Sequence, residues 1–381
     1  MKNILFTLDD YHISGVSSFV RIYSQILSKK HRVIILGRTG NIKNPKTFFP
    51  KCKVLEIKQK TKSSIYGKLV DSIYYIKTLN RIYKKYDINI IHFSTTWSTF
   101  YSLLHPLTWS KKRLITFYGA YDLERESAKK HNPKMKNSSA FSIFLEKNAQ
   151  KITLICSHNI ITFSKYAKSL LISHYGEKNK HKITIIPGLV EIKNNNPIKQ
   201  KEFTILNFGR AEPRKGINIL LKAVKNITQK NIKVKLYIAS PISYLRWSKY
   251  LEIYEEENLF ISTHFIHAVS KKQQEELLKM ADVFVIPSIE LETFGLTIIE
   301  SLSYGIPVIG ASSGAIPEIL NLIDPRLIFK NQSINSLTNK LIWFHQLKKS
   351  ELLKLQKKCK KVVSRNFSYS KSNKKKVLDL Y

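Results

Sequence analysis

The sequence predicts an α/β protein made of two Rossmann-like, doubly wound domains that face each other across a cleft. Three observations predict this fold. Short apolar runs of strand length alternate with helical stretches, which is typical of parallel sheets covered by helices on both faces. The alternation is interrupted by a polar segment over residues 192–201 and then starts again. The length of 381 residues also exceeds what one hydrophobic core usually serves.

The apolar runs define the predicted elements of each half. In the first half we predict strands over residues 3–7, 32–36, 88–93, 113–117, 153–156, 161–163 and 183–186. In the second half we predict strands over residues 204–208, 235–239, 260–265, 283–287 and 307–310, with helices over 217–228, 271–279, 296–304 and 316–320. The domains are accordingly predicted as 1–195 and 196–365. In such sheets ligands bind beyond the carboxyl ends of the strands.

The charge indicates a polyanionic partner. The net charge is +37, and residues 1–195 hold 34 Lys and Arg against 11 Asp and Glu, which is +23 of that total. Nucleic acid and an anionic bilayer both fit this excess. Lys, Ile and Asn are all abundant, as they are in proteins from AT-rich genomes. This genome bias is the alternative explanation for part of the positive charge.

The apolar runs and the cysteines bear on localisation. No apolar run approaches the length of about 20 residues that a spanning helix needs, and the first residues read as a strand rather than a signal peptide. We expect a cytoplasmic protein, with peripheral association at the inner face of the membrane. Cys52, Cys156 and Cys359 are widely separated, so neither a disulfide framework nor a zinc site is predicted.

The first candidate loop follows the first predicted strand. Gly15 lies where this loop turns into a helix, so backbone N–H groups at the helix start could approach a phosphate or a sugar oxygen. A glycine needed only for a tight turn is the structural alternative. The loop lacks the spacing of a dinucleotide-binding or P-loop motif. Asp9-Asp10 lacks Asp-x-Asp spacing, so we predict no metal site. Any catalytic activity of the protein should therefore persist in the presence of a chelator.

The second loop, GRAEPRKG, begins the second domain. It runs from Gly209 to Gly216 between a strand and a helix. Arg210 is suited to bidentate contacts with a phosphate, and Lys215 adds a compact charge, so the pair could neutralise a diphosphate without a metal. A solvated basic loop is the alternative.

The third loop contains two glutamates eight residues apart. Glu292 precedes a predicted helix and Glu300 lies within it, among apolar residues. A carboxylate on such a helix is costly unless it accepts hydrogen bonds, which ribose hydroxyls would donate. Gly295 permits close backbone approach at the start of the helix. An exposed carboxylate is a plausible alternative for one glutamate, but less so for both beside the glycine.

These motifs together resemble glycosyltransferase family 4, the retaining group with the GT-B fold. The resemblance runs from the loop at Gly15 to the chain end, and it is most specific over GRAEPRKG and ADVFVIPSIELETFGLTIIESLSYGIPVIGASSGAIPEIL. Glu292 and Glu300 fit the E-x7-E pattern of the family. Residues 366–381 resemble its closing helix, which implies that they pack back on the N-terminal domain.

The resemblance also implies roles for individual residues. Glu292 would contact the donor sugar, and Glu300 would hold the ribose. Arg210 and Lys215 would bind the diphosphate of a UDP- or GDP-sugar, with no cofactor beyond this co-substrate. Gly15 would lie against the diphosphate from the opposite domain. The backbone amides of the next three residues would help to position the donor phosphate and sugar: Phe294, Gly295 and Leu296. The implied mechanism is a front-face displacement that retains the anomeric configuration.

The sequence departs from the family near the reacting sugar. Tyr118 precedes Gly119 where the family usually has histidine, and a phenol cannot act as a neutral imidazole at pH 7. Either its hydroxyl substitutes or the preference for the donor sugar has shifted. His12 and Asp122 are secondary candidates, each with a structural or acceptor-facing alternative.

The acceptor is predicted from the basic first domain. The segment 62–86 reads as a basic amphipathic helix with Ile65, Leu69, Ile73, Ile76 and Ile82 near one face, suited to an anionic membrane surface. Any surface helix of an α/β domain also has an apolar face. We therefore expect a glycan or lipid-linked acceptor, in cell-surface polysaccharide or glycolipid synthesis. A catalytically impaired scaffold that binds a partner and a nucleic-acid-binding protein are the alternatives, but no nucleic-acid-binding motif accompanies the charge.

Overall fold

The computed structural model of the protein describes residues 1–57, 65–131, 140–193, 200–210, 212–240, 263–267 and 269–381. It contains two parallel sheets covered by helices, which confirms the predicted two-domain α/β fold. Unit 1 consists of Met1–Arg125, Asn137–Pro187 and Lys371–Tyr381, and unit 2 of Glu126–Lys136 and Gly188–Ser370. The division falls between Pro187 and Gly188, whereas the predicted boundary between residues 195 and 196 lies outside the described residues.

Unit 1 is built on a seven-stranded parallel sheet in the order β3-β2-β1-β4-β5-β6-β7. Its strands are β1 (Asn3–Asp10), β2 (Arg32–Arg38), β3 (Lys53–Ile57), β4 (Ile88–Phe93), β5 (Lys112–Thr116), β6 (Asn159–Thr162) and β7 (Ile183–Ile185). Its helices are α1 (Gly15–Leu27), α2 (Pro45–Phe48), α3 (Ile65–Lys85), α4 (Thr96–Leu103), α5 (Pro106–Trp109), α6 (Tyr121–His131), α7 (Ala140–Cys156) and α8 (Lys165–Tyr175). Helix α6 continues past Arg125 into the residues grouped with unit 2.

Three helices of unit 1, α3, α4 and α7, pack together and bury apolar side chains in its core. Helices α3 and α7 both pack against α4. Their inner faces bury Leu79 and Leu154 in one apolar cluster with Leu171 of α8. Helix α4 exposes none of its side chains, whereas α3 and α7 each keep exposed residues on the side away from the sheet, so the three helices form one layer, the α3–α4–α7 layer.

The end of the chain belongs to unit 1. A further helix, α15 (Lys371–Leu378), packs against α1. The hydroxyl of Tyr381 hydrogen-bonds the ring of buried His92, whose second nitrogen lies 2.7 Å from Thr116 Oγ1. Burial lowers the pKa of His92 to about 3, so this imidazole is neutral and serves the packing of the sheet.

Unit 2 is built on a six-stranded parallel sheet in the order β10-β9-β8-β11-β12-β13. Its strands are β8 (Phe203–Phe208), β9 (Val234–Ala239), β10 (Thr263–Ile266), β11 (Val283–Ile286), β12 (Val308–Ala311) and β13 (Ile328–Phe329). Its helices are α9 (Ile217–Thr228), α10 (Lys271–Met280), α11 (Leu296–Ser303), α12 (Ile316–Leu320), α13 (Ile334–His345) and α14 (Lys349–Asn366). Strands β8 and β11 are neighbours, so the loops after them start side by side.

Two predictions about unit 1 were wrong. Residues 153–156, predicted as a strand, form the last turn of α7. Thr153 and Leu154 are buried while Ile152 and Ile155 are exposed, which is helical spacing, and packing on α4 overrides the β-propensity of these residues. The face predicted for the helix over 62–86 was also wrong. Of the residues predicted to share a face, Ile82 is buried together with Tyr75 and Leu79, whereas Ile73 is 51% exposed, so Ile73 and Ile82 do not lie on one face. Residues 62–64 and the side chains of Ile65 and Leu69 lie outside the described part of the chain.

In the ranges that the structure describes, no helix combines the length and the hydropathy needed to cross a bilayer.

Candidate functional site

The loops after β8 and β11 bring Lys215 and Glu292 together. Lys215 ends a short 3₁₀ turn, Pro213–Lys215, and Glu292 lies in the loop that leads to α11. The Lys215 ammonium donates to Glu292 Oε2 at 2.6 Å, and the Ser288 hydroxyl donates to the same oxygen at 3.0 Å. The structure thus joins two predicted site residues that are 77 positions apart in the sequence.

The environment of Glu292 keeps its carboxylate ionised. Burial opposes ionisation, but the neighbouring Lys215 ammonium, the Arg214 guanidinium and the Ser288 hydroxyl outweigh it and hold the pKa of Glu292 below its usual value. Glu292 is therefore an acceptor of hydrogen bonds at neutral pH. A buried, charged acceptor beside an ammonium is suited to fix the hydroxyls of a polar ligand.

A second ion-pair group lies in the same 209–216 loop. The Glu212 carboxylate forms ion pairs with two guanidinium groups: Arg210 Nη1 lies 2.9 Å from Oε1 and Arg214 Nε lies 3.0 Å from Oε2. Burial opposes the ionisation of Glu212, but Arg210, Arg214 and Lys215 outweigh it and lower its pKa. Arg214 is buried, whereas the Arg210 side chain is 47% exposed, so Arg210 is the guanidinium of this group that an incoming anion can reach.

Two glycines allow the loops of the site to meet at backbone distance. Gly216 has φ +66°, and a Cβ there would lie 2.1 Å from the carbonyl oxygen of Pro287. Gly314 has φ +57°, and a Cβ there would lie 2.4 Å from the carbonyl oxygen of Glu292. Ala315 N–H donates to that same carbonyl at 2.8 Å. Because only glycine fits at these two positions without strain, the loop that carries Glu292 is held from both sides.

The loop then enters a helix. Gly295 is the N-cap of α11 and Leu296 its first residue. Phe294 is buried, with its ring centroid 5.9 Å from that of Phe367, and this anchors the turn. The first-turn amides of a helix have no intrahelical acceptors and carry the positive end of its dipole. Phe294, Gly295 and Leu296, whose backbone amides are predicted to position the donor, thus lie at the start of a helix just after Glu292.

Glu300 has partners of its own, away from Glu292. Its two oxygens accept from Lys271 Nζ at 3.1 Å and from Gln274 Nε2 at 3.0 Å, both of α10. The sequence interpretation required hydrogen-bond donors for this carboxylate and assigned that role to ribose hydroxyls. In the structure, side chains of α10 supply these donors, and the Glu300 side chain stays 27% exposed.

The remaining predicted residues belong to unit 1. Gly15 is the first residue of α1, whose N-cap Ser14 forms a capping box with Ser17. Tyr118 follows β5, and its ring packs at 5.6 Å from Phe19 and 5.5 Å from Phe163. Burial raises the pKa of the Tyr118 phenol well above its usual value, so it remains a hydrogen-bond donor at neutral pH.

The two secondary candidates have different surroundings. Asp122 is buried and accepts from Tyr175 at 3.1 Å, with His174 Nε2 2.6 Å away, so the structure favours its structural alternative. His12 is half-exposed and lies 2.6 Å from the Asp10 carboxylate.

Sequence reasoning missed Arg214, Ser288 and Gly314. Arg214 lies inside the loop already singled out, but its burial beneath Glu212 depends on tertiary packing. The close approach of Gly314 to the carbonyl of Glu292 joins residues 22 positions apart, and no local sequence pattern predicts it. Within the described residues, no group of three or more His, Cys, Asp or Glu side chains is arranged to hold a metal ion.

Comparison with known families agrees with this architecture. The model for group 1 glycosyl transferases matches residues 190–363, and the model for glycosyltransferase family 4 matches residues 13–194. Together the two models span nearly the whole chain. The chain belongs to the group 1 glycosyltransferases of family 4, as the sequence motifs predict.

Individual relatives are distant. The α-monoglucosyldiacylglycerol synthase of Streptococcus pneumoniae is 32% identical over 142 residues, which is 37% of this chain and 30% of that protein. The capsular polysaccharide glycosyltransferase CapM of Staphylococcus aureus is 27% identical over 208 residues, 49% of this chain and 52% of that protein. The chain thus matches between about a third and a half of the length of these curated relatives.

Solved structures share the fold over the full length. Sucrose-phosphate synthase of Thermosynechococcus elongatus superposes with a TM-score of 0.82 at 18% identity, covering 100% of this chain and 98% of that one. HepE of Anabaena, solved in complex with UDP and glucose, superposes with a TM-score of 0.76 at 14% identity, covering 100% and 99%.

Proposed function

We propose that this chain is a retaining, metal-independent glycosyltransferase. It transfers a hexose-type sugar from a UDP- or GDP-sugar to a glycan or lipid-linked acceptor, in the synthesis of cell-surface polysaccharide or glycolipid. The observation that carries the proposal is the Lys215–Glu292 pair, 2.6 Å apart, at the start of α11 and next to the exposed Arg210. Family membership supports the reaction class, and HepE, a structural neighbour, is solved with UDP-glucose.

Each part of this site has a place in the reaction. A departing nucleoside diphosphate develops negative charge, which preorganised cations and helix amides stabilise. Lys215 keeps donor capacity beyond its bond to Glu292, because an ammonium has three N–H groups. Arg210 reaches the anion by exchanging Glu212 for phosphate oxygens. Glu292, held ionised, accepts hydrogen bonds from the hydroxyls of the transferred sugar.

Donor turnover tests the reaction class. The purified protein is incubated in EDTA with a panel of UDP- and GDP-sugars, with and without glycan acceptors, and release of nucleoside diphosphate is measured. We expect turnover of at least one donor in chelator, and NMR should show the anomeric configuration of the donor in the product. Absence of turnover across the panel would indicate the impaired scaffold instead, and an inverted product would refute the retaining mechanism.

We also propose that unit 1 binds an anionic membrane surface through the outer face of its α3–α4–α7 layer. Of the sixteen large hydrophobic side chains that are exposed in the described residues, ten lie on this layer and its α5 extension. They are Ile73, Tyr74, Leu104, Leu107, Trp109, Phe141, Phe144, Leu145, Ile152 and Ile155. Exposed apolar groups at this density mark an interaction site.

The same face carries the charge that selects an anionic bilayer. Lys77, Arg81 and Lys84 lie on the outer face of α3, and Lys147 and Lys151 lie between the exposed apolar side chains of α7. Lysines near an anionic leaflet contribute about 1 kcal/mol each, and aromatic rings insert at the interface. This binding mode suits a lipid-linked acceptor and accounts for part of the +37 net charge without nucleic acid.

Flotation with liposomes tests this face. We expect binding to vesicles with anionic lipid, weakened by salt, and little binding to neutral vesicles. Phe141→Ser with Phe144→Ser should reduce binding strongly, whereas the matched control Leu322→Ser with Leu353→Ser, at exposed leucines of unit 2, should not. Equal loss in both double variants, or equal binding to neutral vesicles, would contradict the assignment.

A further inference from the structure

A small pocket in unit 1 has a chemical character opposite to that of the protein as a whole. It has a volume of about 250 Å³ and lies at the carboxyl ends of β1 and β2, beside the start of α4. We call it the Asp9 pocket; its walls include Asp9, Asp10, His12, Arg38, Trp97 and Tyr101. Ligands of parallel sheets bind at this edge of the strands.

The pocket is acidic in a protein of net charge +37. Two adjacent carboxylates, Asp9 and Asp10, face it with one guanidinium, Arg38. The charge of Arg38 is already matched, because its Nη1 lies 3.1 Å from Asp71 Oδ2. Burial raises the pKa of Asp9, and the Arg38 charge opposes that rise only in part. Carboxyl groups thus outnumber the cations at the pocket, which disfavours anions and suits hydroxyl groups, which donate hydrogen bonds to carboxyl oxygens.

The carboxylates retain acceptor capacity. Asp9 Oδ1 accepts from Ser98 N–H at 2.6 Å, and the Thr95 side chain also bonds to this carboxylate. Capping of α4 explains those contacts, but a carboxylate has about four acceptor positions. Capping explains neither the adjacent Asp10 nor its pairing with His12 at 2.6 Å, both half-exposed at the mouth of the pocket.

Aromatic rings form another part of the wall. Trp97 is partly exposed, with its ring centroid 6.3 Å from that of Tyr101, and the Arg38 guanidinium lies 5.4 Å from the Tyr101 ring. An amphipathic ring with one apolar face fits against Trp97 while its hydroxyls reach the carboxylates. A pocket of about 250 Å³ is below the usual 300–1,000 Å³ of drug-sized ligand sites, so it suits one sugar unit.

We infer that the Asp9 pocket binds one neutral hexose-type unit of the acceptor glycan, with Trp97 under its apolar face and the Asp9 and Asp10 carboxylates accepting from its hydroxyls. This inference rests on the proposed function, because it names the class of acceptor that the transferase uses. It has a consequence for specificity. A terminal uronic acid or phosphosugar brings a negative charge next to two carboxylates and is therefore a poor acceptor.

Direct binding tests the pocket without reference to catalysis. Saturation-transfer NMR is recorded on the full chain with methyl glycosides of glucose, galactose, mannose and N-acetylglucosamine, and with methyl glucuronide. We expect saturation transfer to at least one neutral glycoside and not to the glucuronide. Trp97→Ala should abolish it, while Trp97→Phe, which keeps a ring, should retain part. Absence of binding by every neutral glycoside, or equal binding in Trp97→Ala, overturns the inference.

Kinetics with glycan acceptors provides a second measurement. Asp9→Asn keeps an acceptor for Ser98 N–H but removes the charge, and it should raise the acceptor KM by about ten- to hundred-fold. It should also narrow the preference for neutral over uronic acceptors. The acceptor-independent release of nucleoside diphosphate is measured in the same variant, so that a loss confined to acceptor binding is distinguished from a general loss of donor turnover. The melting temperature from far-UV circular dichroism reports the weaker capping of α4 separately.

The two proposals fail in different ways. Unchanged acceptor KM in Asp9→Asn and Trp97→Ala, with donor turnover intact, refutes the pocket and leaves the transferase standing. Absence of donor turnover in the unaltered protein, together with binding of a neutral glycoside, refutes the transferase and leaves a sugar-binding site.

Discussion

The ion pair between Lys215 and Glu292 leads to a prediction in which stability and donor turnover respond differently to substitution. Lys215→Met keeps the length of the side chain and removes the ammonium that lies 2.6 Å from Glu292 Oε2. Glu292 then remains largely buried, with the Ser288 hydroxyl and the Arg214 guanidinium as its remaining stabilising neighbours. We expect Lys215→Met to destabilise unit 2, because a buried carboxylate loses its nearest counter-ion.

The magnitude has an upper bound set by protonation. In the variant, Glu292 can bind a proton and so avoid being buried as an unpaired charge. Protonating a glutamate of ordinary pKa 4.5 at pH 7 costs about 3 kcal/mol, at about 1.36 kcal/mol per pKa unit. Removing one partner of a buried pair typically costs about 3–5 kcal/mol. Lys215 is 19% exposed, which lowers that figure. We therefore expect a loss of about 2–3 kcal/mol at pH 7, which shrinks as the pH falls below the raised pKa of the unpaired carboxyl toward the ordinary value of 4.5.

Urea unfolding of four proteins measures this effect: the unaltered chain, Lys215→Met, Glu292→Gln and the double variant. Because the chain has two units, the free energy is taken from the transition that the single variants shift. The double variant contains neither charge and should be more stable than Lys215→Met, with a coupling energy of about 1–3 kcal/mol. All three variants should lose donor turnover by about a hundredfold or more. Additive losses within about 0.5 kcal/mol would refute the pairing as a source of stability, and an active double variant would refute the site.

Three further predictions concern the same unit. Gly216→Ala places a Cβ against the Pro287 carbonyl at φ +66° and should cost about 2 kcal/mol or more in urea unfolding, whereas Gly209→Ala, where a Cβ meets nothing within 4 Å, should cost under about 1 kcal/mol. Glu212→Gln removes the charge that pairs with buried Arg214 and should destabilise by about 1–3 kcal/mol, and a change below about 0.5 kcal/mol would contradict that role. The lowered pKa values of Glu292 and Glu212 contribute stability that is present above about pH 4.5 and is lost as the pH falls through the lowered values. The acid-side slope of the unfolding free energy should therefore be smaller in Glu292→Gln, while Asp282, whose pKa is raised by burial, acts in the opposite direction in both proteins.

The elements that sequence reasoning placed well share a physical basis. The strand Ile88–Phe93 and the helices Ile217–Thr228 and Ile316–Leu320 were predicted with their observed bounds. In each, the apolar period and the residues at the ends agree, and the tertiary structure does not overrule them. The last turn of α7 is the opposite case. Its β-branched residues favour a strand locally, and only the packing of α7 on α4 makes them helical.

The candidate site divides along similar lines. Glycines and charged residues at strand ends are local signals, and they identified the loops that carry Arg210, Lys215 and Glu292. Their partners are not local. The bonds of Glu300 to Lys271 and Gln274 come from another helix, and the burial of Arg214 depends on the chain at Leu291 and Glu212. A single sequence contains no period or spacing that encodes such long-range contacts.

Charge has two separate meanings in this molecule. The abundant lysines lie mostly on outer helix faces, where each one has a small, screened effect and only the sum directs the protein to an anionic surface. The few carboxylates at the strand ends act individually, because burial and short contacts make each one energetically important. The acidic Asp9 pocket within a domain of net charge +23 over residues 1–195 is informative for this reason. The average composition works against an acidic pocket. Capping of α4 accounts for Asp9, and the half-exposed Asp10 beside it is better explained by a ligand of the pocket than by the background of the sequence.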